Sequence, residues 1–178
     1  MGWAGQHPER VAGLVVLNTA AFHSTLIPQR IAVCRWPVLG SLLVRGLNGF
    51  ALPATFMAVA KKMRPEVKAG FLVPYDNWAN RVAVHAFVQD IPLQPSHPSW
   101  DTLTQVESSL DQLRDKPMLI CWGGKDFCFN DQFYAEWQQR FPAAQCHYFP
   151  DAGHYVLEDA LSEITSLLGP FLQNCLVR

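Results

Sequence analysis

Apolar residues follow two rhythms along this chain. In three short stretches they run almost without polar interruption: Leu14 to Leu17 within "VAGLVVLNTA", "KPMLICWG" around Ile120, and the shorter "AQCHYF" around His147. Continuous apolar runs bounded by turn-forming residues predict strands covered on both faces, as in a parallel sheet. Elsewhere the apolar residues recur every three or four positions, the spacing of a helix with one buried stripe. Leu103, Val106, Leu110 and Leu113 make such a stripe between Trp100 and Leu113. Val156, Leu157, Ala160, Ile164 and Leu168 make another in a single closing helix, "HYVLEDALSEITSLLGPFLQ". Between the second and third strands, "NDQFYAEWQQRF" predicts a crossover helix capped by Asn130 or Asp131. The opening "MGWAGQHPERV" reads as the last turns of a helix ended at His7, because a residue before proline is pushed out of the helical region.

The resulting order is strand, helices, strand, helix, strand, helix. It predicts an α/β fold, the back half of a doubly wound parallel sheet. Three sections are expected: residues 1–21 as a helix end and first strand, 22–95 as a helical cap inserted into the core, and 96–178 as the C-terminal core. In the middle section "SLLVRGL", "PATFMAVAKKM" and "NWANRVAVHAFVQDI" are separated by proline and glycine and show no strand alternation. Trp78, Val82, His85 and Phe87 or Val88 recur there at helical spacing. A strand such as Leu14 to Leu17 is expected to follow a strand–helix unit, so the chain is expected to begin inside a connecting helix. "LVVLN" would then be an exposed sheet edge through which the chain could form oligomers.

Composition narrows the function classes. Of 178 residues, 49% are hydrophobic and 16% charged, which describes a globular chain rather than a disordered one. A net charge of -1 supplies no electrostatic footprint for nucleic acid. Five cysteines, an odd number at irregular spacing with no Cys-x-x-Cys, argue against a disulfide framework and against structural zinc, and for a reducing, cytoplasmic setting. "MGWAGQHPER" has neither the basic nor the apolar region of a signal peptide. The most apolar region, residues 36–60, is broken by Pro37, Arg45 and Pro53 and falls short of a membrane span. A peripheral membrane or multienzyme-complex contact remains compatible with so apolar a segment.

In open parallel sheets chemistry sits just past the carboxyl ends of the strands. Two such ends carry suitable side chains: Asp126 after "LICWGGK", and His154 after "CHYFPDAG". A carboxylate and an imidazole on neighbouring strand ends can share a hydrogen bond that fixes the imidazole tautomer and stabilises its protonated form. Gly123, Gly124 and Gly153 are expected to permit the sharp turns this needs. Asp151 is a rival acid, but on the histidine's own turn it is expected to close that turn. Cys128 lies two residues from Asp126, whose charge would oppose a thiolate, so it is a poor nucleophile. Glu158 and Asp159 fit as first-turn acids of the closing helix.

"PMLICWGGKDFCF" followed by "FPDAGHYVLED" resembles the acid and histidine segments of the α/β-hydrolase fold, and "HPERVAGLVVLNTA" resembles the helix end and strand after its nucleophile elbow. "PYDNWANRVAVHAFVQDIPL" is similar to the end of the helical cap in haloalkane-dehalogenase-like members. The closest likeness is to the β-lactone decarboxylases of long-chain olefin biosynthesis. The resemblance implies that Asp126 is the acid and His154 the base, that a small apolar substrate is turned over, and that no cofactor or metal takes part. In that branch a carboxylate in a His-Asp-Trp-Gly-Gly type elbow attacks carbon. Neither that elbow nor a Gly-x-Ser-x-Gly stands in these residues. The resemblance therefore implies an N-terminally truncated chain that lacks its nucleophile and is inactive alone.

Trp36, Leu39, Phe50, Phe56 and Trp78 are expected to line an apolar substrate tunnel in the cap. Two other outcomes are open at this stage. One is a non-catalytic remnant that binds a lipid or a partner. The other is a serine esterase or lipase, should the elbow outside these residues carry serine.

Overall fold

A computed structural model describes residues 1–176. Three parallel strands, β1 (Leu14–Leu17), β2 (Met118–Gly123) and β3 (Gln145–Phe149), lie side by side in the order β1-β2-β3. Val16 stands opposite Ile120, and Cys121 opposite His147. Ten helices accompany them among the described residues: α1 (Gly2–Gln6), α2 (Gln29–Ala32), α3 (Leu39–Ser41), α4 (Ala51–Met57), α5 (Pro65–Leu72), α6 (Val82–Gln89), α7 (Trp100–Ser109), α8 (Asp131–Arg140), α9 (Val156–Asp159) and α10 (Leu161–Leu176).

Successive residues of a strand point to opposite faces, and β2 uses both. Met118, Ile120 and Trp122 pack with Leu110, Leu113, Phe133 and Trp137, the cluster that joins the sheet to the end of the α7 segment and to α8. Leu119 and Cys121 pack with Val156, Ala160, Ile164 and Phe171 of α9 and α10. The result is a sheet with helices on both faces, as the continuous apolar run predicts. Complete burial holds only for β2. Val15 of β1 is 40% exposed, and Gln145 and Tyr148 of β3 are exposed as well. Each outer strand has a single neighbouring strand among the described residues, so an apolar sequence alone did not guarantee cover on both faces.

Asn130 caps α8, its side-chain oxygen accepting from the Gln132 N–H at 3.0 Å. Two helices differ from the sequence expectation. "PATFMAVAKKM" does not continue as a helix: α4 stops at Met57 and α5 begins anew at Pro65. The backbone of Ala58, Ala60 and Lys61 is instead engaged by the loop that carries His154 and by Asp159. The closing helix is likewise two helices, because Ala160 leaves the helical conformation at φ -134°. "SLLVRGL" winds as α3 followed by a wider π-type turn over Leu42–Gly46. A small core of Cys34, Val44 and Val88 holds this region together. No described helix is long and apolar enough to cross a membrane, and all five cysteines are free thiols.

Candidate active site

The carboxyl ends of β2 and β3 bring two loops together. Gly123, at the end of β2, lies so close to the histidine loop that a Cβ there would collide with the carbonyl oxygens of Ala152 and Gly153. No described glycine has a positive φ. Gly123 and Gly153 therefore serve the close approach of backbones, and Gly124 that of the Tyr148 side chain, rather than a left-handed conformation.

Asp126 is buried and fully engaged. Its Oδ1 accepts from the backbone N–H groups of Cys128 at 2.6 Å and Phe129 at 3.0 Å. Its Oδ2 accepts from Asn18 Nδ2 at 2.8 Å and lies 2.8 Å from His154 Nδ1. With three N–H donors already aimed at it, the carboxylate is the acceptor in the fourth contact, so Nδ1 of His154 carries the hydrogen. Nε2 is then the ring nitrogen without a hydrogen, free to accept a proton. The imidazole side chain is 26% exposed and is flanked by Phe129 and Tyr155, with ring centroids 5.6 and 5.5 Å away.

Asn18 had no signal in the sequence beyond its place at the end of the first strand. It is 3% exposed, at φ 33°, and its side chain spans the gap between strands. Nδ2 donates to the Gly123 carbonyl at 3.1 Å as well as to Asp126, and Oδ1 accepts from the Gly123 N–H at 2.8 Å. One amide thus fixes the end of β2 and the orientation of the Asp126 carboxylate.

The rival groups are accounted for by their contacts. Asp151 is exposed and accepts from Lys125 Nζ at 2.7 Å, while the turn itself is closed by the Ala152 N–H on the Phe149 carbonyl. The Lys125 hydrogen bond holds the Asp151 carboxyl below its ordinary range. Burial, with the Asp126 charge beside it, pushes the Cys128 thiol up to about 12, against an opposing pull from Arg30. At neutral pH that thiol is protonated and a weak nucleophile. Asp126, Cys128 and His154 also form a group whose potential ligand atoms lie within 4.8 Å of one another. Each Asp126 oxygen already accepts two hydrogen bonds, and the thiol holds its proton, so this group is poorly prepared to bind a cation. Asp159 stands in the first turn of α9, as expected, but it is also 4% exposed and hydrogen-bonded to three backbone N–H groups.

His154 opens onto a cavity of about 230 Å³ whose walls include Phe50, Pro53, Met57, Phe127 and Tyr155, with Arg30 at one side. Of the five side chains expected to line a tunnel, Phe50 lines this cavity. Trp36, Leu39, Phe56 and Trp78 do not; they are 55%, 41%, 61% and 45% exposed. Trp78 instead lies under the Arg45 guanidinium, 4.3 Å from the ring centroid. Trp36 and Trp78 lie outside the helices, and Leu39 and Phe56 sit in helices of three and seven residues, too short for apolar spacing to define an inward face.

Residues 2–161 match the family model described as the alpha/beta hydrolase fold. The chain is 39% identical over 176 residues to the cis-3-alkyl-4-alkyloxetan-2-one decarboxylase of Shewanella oneidensis, and 37% identical over 176 residues to that of Xanthomonas campestris pv. campestris. Each alignment covers 97% of this chain but 55% and 59% of those relatives, so the chain spans little more than half their length. Among solved structures it resembles the haloalkane dehalogenases DbeA of Bradyrhizobium elkani (TM-score 0.89, 17% identity, covering 99% of this chain and 63% of that one) and DatA of Agrobacterium tumefaciens C58 (TM-score 0.79, 22% identity, covering 98% and 62%). At those identities the likeness is one of fold. With its parallel sheet, its two loops at the strand ends and the family match over residues 2–161, the chain belongs to the alpha/beta hydrolase fold family.

Proposed function

We propose that this chain supplies the acid, the base and an apolar substrate wall of an enzyme that decarboxylates β-lactones bearing alkyl chains. The carrying observation is the hydrogen bond from His154 to a buried Asp126 whose other lone pairs are all occupied. A carboxylate so restrained cannot rotate away, and it favours an imidazolium when Nε2 takes a proton. The apolar walls at Phe50, Met57 and Phe127 suit alkyl chains better than a sugar or a phosphate ester. The choice of β-lactone over haloalkane rests on the two decarboxylase relatives, which share more of the sequence than the dehalogenases do.

In this reading a carboxylate from sequence outside these residues breaks the ring carbon–oxygen bond to form an enzyme ester with a free β-carboxylate, whose loss of carbon dioxide expels the enzyme carboxylate without consuming water, while the His154 imidazolium offsets the negative charge of the carboxylates formed and released. The lactone leaves as carbon dioxide and an alkene. The test is a chimera in which the N-terminal part of the Shewanella decarboxylase is joined ahead of Met1. Gas chromatography should detect alkene from a cis-3,4-dialkyl-β-lactone, and the signal should vanish in His154→Ala. A folded chimera that hydrolyses haloalkanes or esters while leaving the β-lactone intact would overturn the proposal.

A further inference from the structure

His154 is held at Nδ1 by Asp126, but its backbone is held from a different direction. Asp159 Oδ2 accepts from the Gly153 N–H at 2.8 Å and from the Ala60 N–H at 2.7 Å. Oδ1 accepts from the Lys61 N–H at 2.8 Å, and Lys61 Nζ donates to the Asp159 carbonyl at 2.6 Å. On the other flank of the histidine, the Tyr155 N–H donates to the Ala58 carbonyl at 2.7 Å. Gly153 sits against the same strap, where a Cβ would press on the Ala58 carbonyl. Both neighbours of His154 are thus tied to residues 58–61, the link between α4 and α5.

That link matters to the cavity. Met57 and Ala58 line it, as do His154 and Tyr155, and Phe71 of α5 stacks on Tyr155 with centroids 5.0 Å apart. A buried carboxylate receiving three backbone N–H groups is costly to leave unpaired. Its three donors come from two segments, so the carboxylate sets how those segments meet.

We infer that Asp159 is a positioning residue: it locks the His154 loop to the 58–61 strap, keeping the imidazole in register with Asp126 and the cavity wall fixed beside it. The inference builds on the proposed roles of Asp126 and His154, but its test does not depend on turnover. Substituting Asp159→Asn replaces one acceptor oxygen with an amide that confronts backbone donors.

The experiment follows the His154 side chain by nitrogen-15 and proton NMR in the 178-residue chain. Wild type should show the Nδ1–H tautomer, with a slowly exchanging proton. In D159N that proton should exchange about tenfold faster, as expected when local opening becomes easier, and the Nε2–H tautomer should appear, while His97 signals stay put. Lys61→Met, which removes only the ammonium contact, should give a smaller acceleration in the same direction and decides the matter if D159N does not fold. Unchanged His154 tautomer and exchange in a folded D159N, or in K61M when D159N is unfolded, would overturn the inference. A silent chimera with a normal NMR response would count against the decarboxylase reading alone.

Discussion

The sheet and the helical segment between β1 and α7 are built on opposite principles. Leu119, Ile120, Cys121 and Trp122 of β2 have no exposed surface, and helices cover both faces. The helical segment has a small core cluster of Cys34, Val44 and Val88, with Ile31, Phe50 and Val84 packed on it, and it exposes Trp36, Val38, Leu47, Phe56, Val73 and Phe87. Its short elements are joined by side chains that cap the backbone. Arg35 donates to the carbonyls of Val88 and Ile91, both at 2.8 Å, and Arg81 donates to those of Arg45 and Tyr75, both at 2.7 Å. Hydrogen bonds from Asn18, Cys128 and Phe129 onto a carboxylate just past the buried strand hold the Asp126–His154 pair, while Phe50, Pro53 and Met57 of the helical segment form a wall of the cavity beside it.

This contrast can be broken most severely at the pair itself. In the chimera, Asp126→Asn should lower alkene formation by about ten-thousandfold, the scale seen when a histidine loses its orienting acid. Comparable loss from Phe50→Leu would mean the wall, rather than the pair, carries the chemistry.

Next in size is a test of stability. Trp137 is fully buried and donates to the Thr19 carbonyl at 2.7 Å, so Trp137→Ala should cost about 3–5 kcal/mol in urea unfolding. Trp36→Ala, at a residue 55% exposed, should stay within about 0.5 kcal/mol. Equal losses would erase the distinction between the two regions.

Alkaline pH should weaken the sheet side through the thiols of Cys121 and Cys128. Burial pushes the Cys121 thiol to about 11 and the Cys128 thiol to about 12, from an ordinary value of 9.0. Between those values the folded chain keeps protons that the unfolded chain releases, so stability is intact below pH 9 and falls as pH rises toward 12. Cys128→Ser and Cys121→Ala should flatten that fall in pH-dependent melting curves.

The smallest effect should come from strain in the helical segment. Val38 is 76% exposed at φ 60°, a region β-branched residues avoid. Val38→Gly should raise stability by about 1 kcal/mol, read as a higher midpoint in urea.

Some of this was legible from residues alone. "LVVL" and "MLICWG" form strands because short apolar runs bounded by turn residues have few other ways to be buried, while "QCHYF", with Gln145 and Tyr148 exposed, adds at the edge of β2. Asp126 and His154 could be singled out because each follows a strand and a glycine-bearing turn. The end of α4 at Met57 was not legible, since "MAVAKKM" continues a helical pattern and only the distant Asp159 explains why it stops. Asn18 was silent for a related reason: its partners Gly123 and Asp126 are more than a hundred positions away.

Local sequence determined the strands, the capped crossover helix and which two side chains stand at adjoining strand ends, because periodicity and turn chemistry act over a few residues. Tertiary structure decided what holds those side chains and what they face. Asn18 on the acid, Asp159 on the histidine loop, and Phe50 rather than Trp36, Leu39, Phe56 or Trp78 at the cavity all depend on which backbone donors, acceptors and apolar surfaces arrive from distant segments. A buried polar group is satisfied by whatever folding brings beside it, and that pairing is a property of three dimensions.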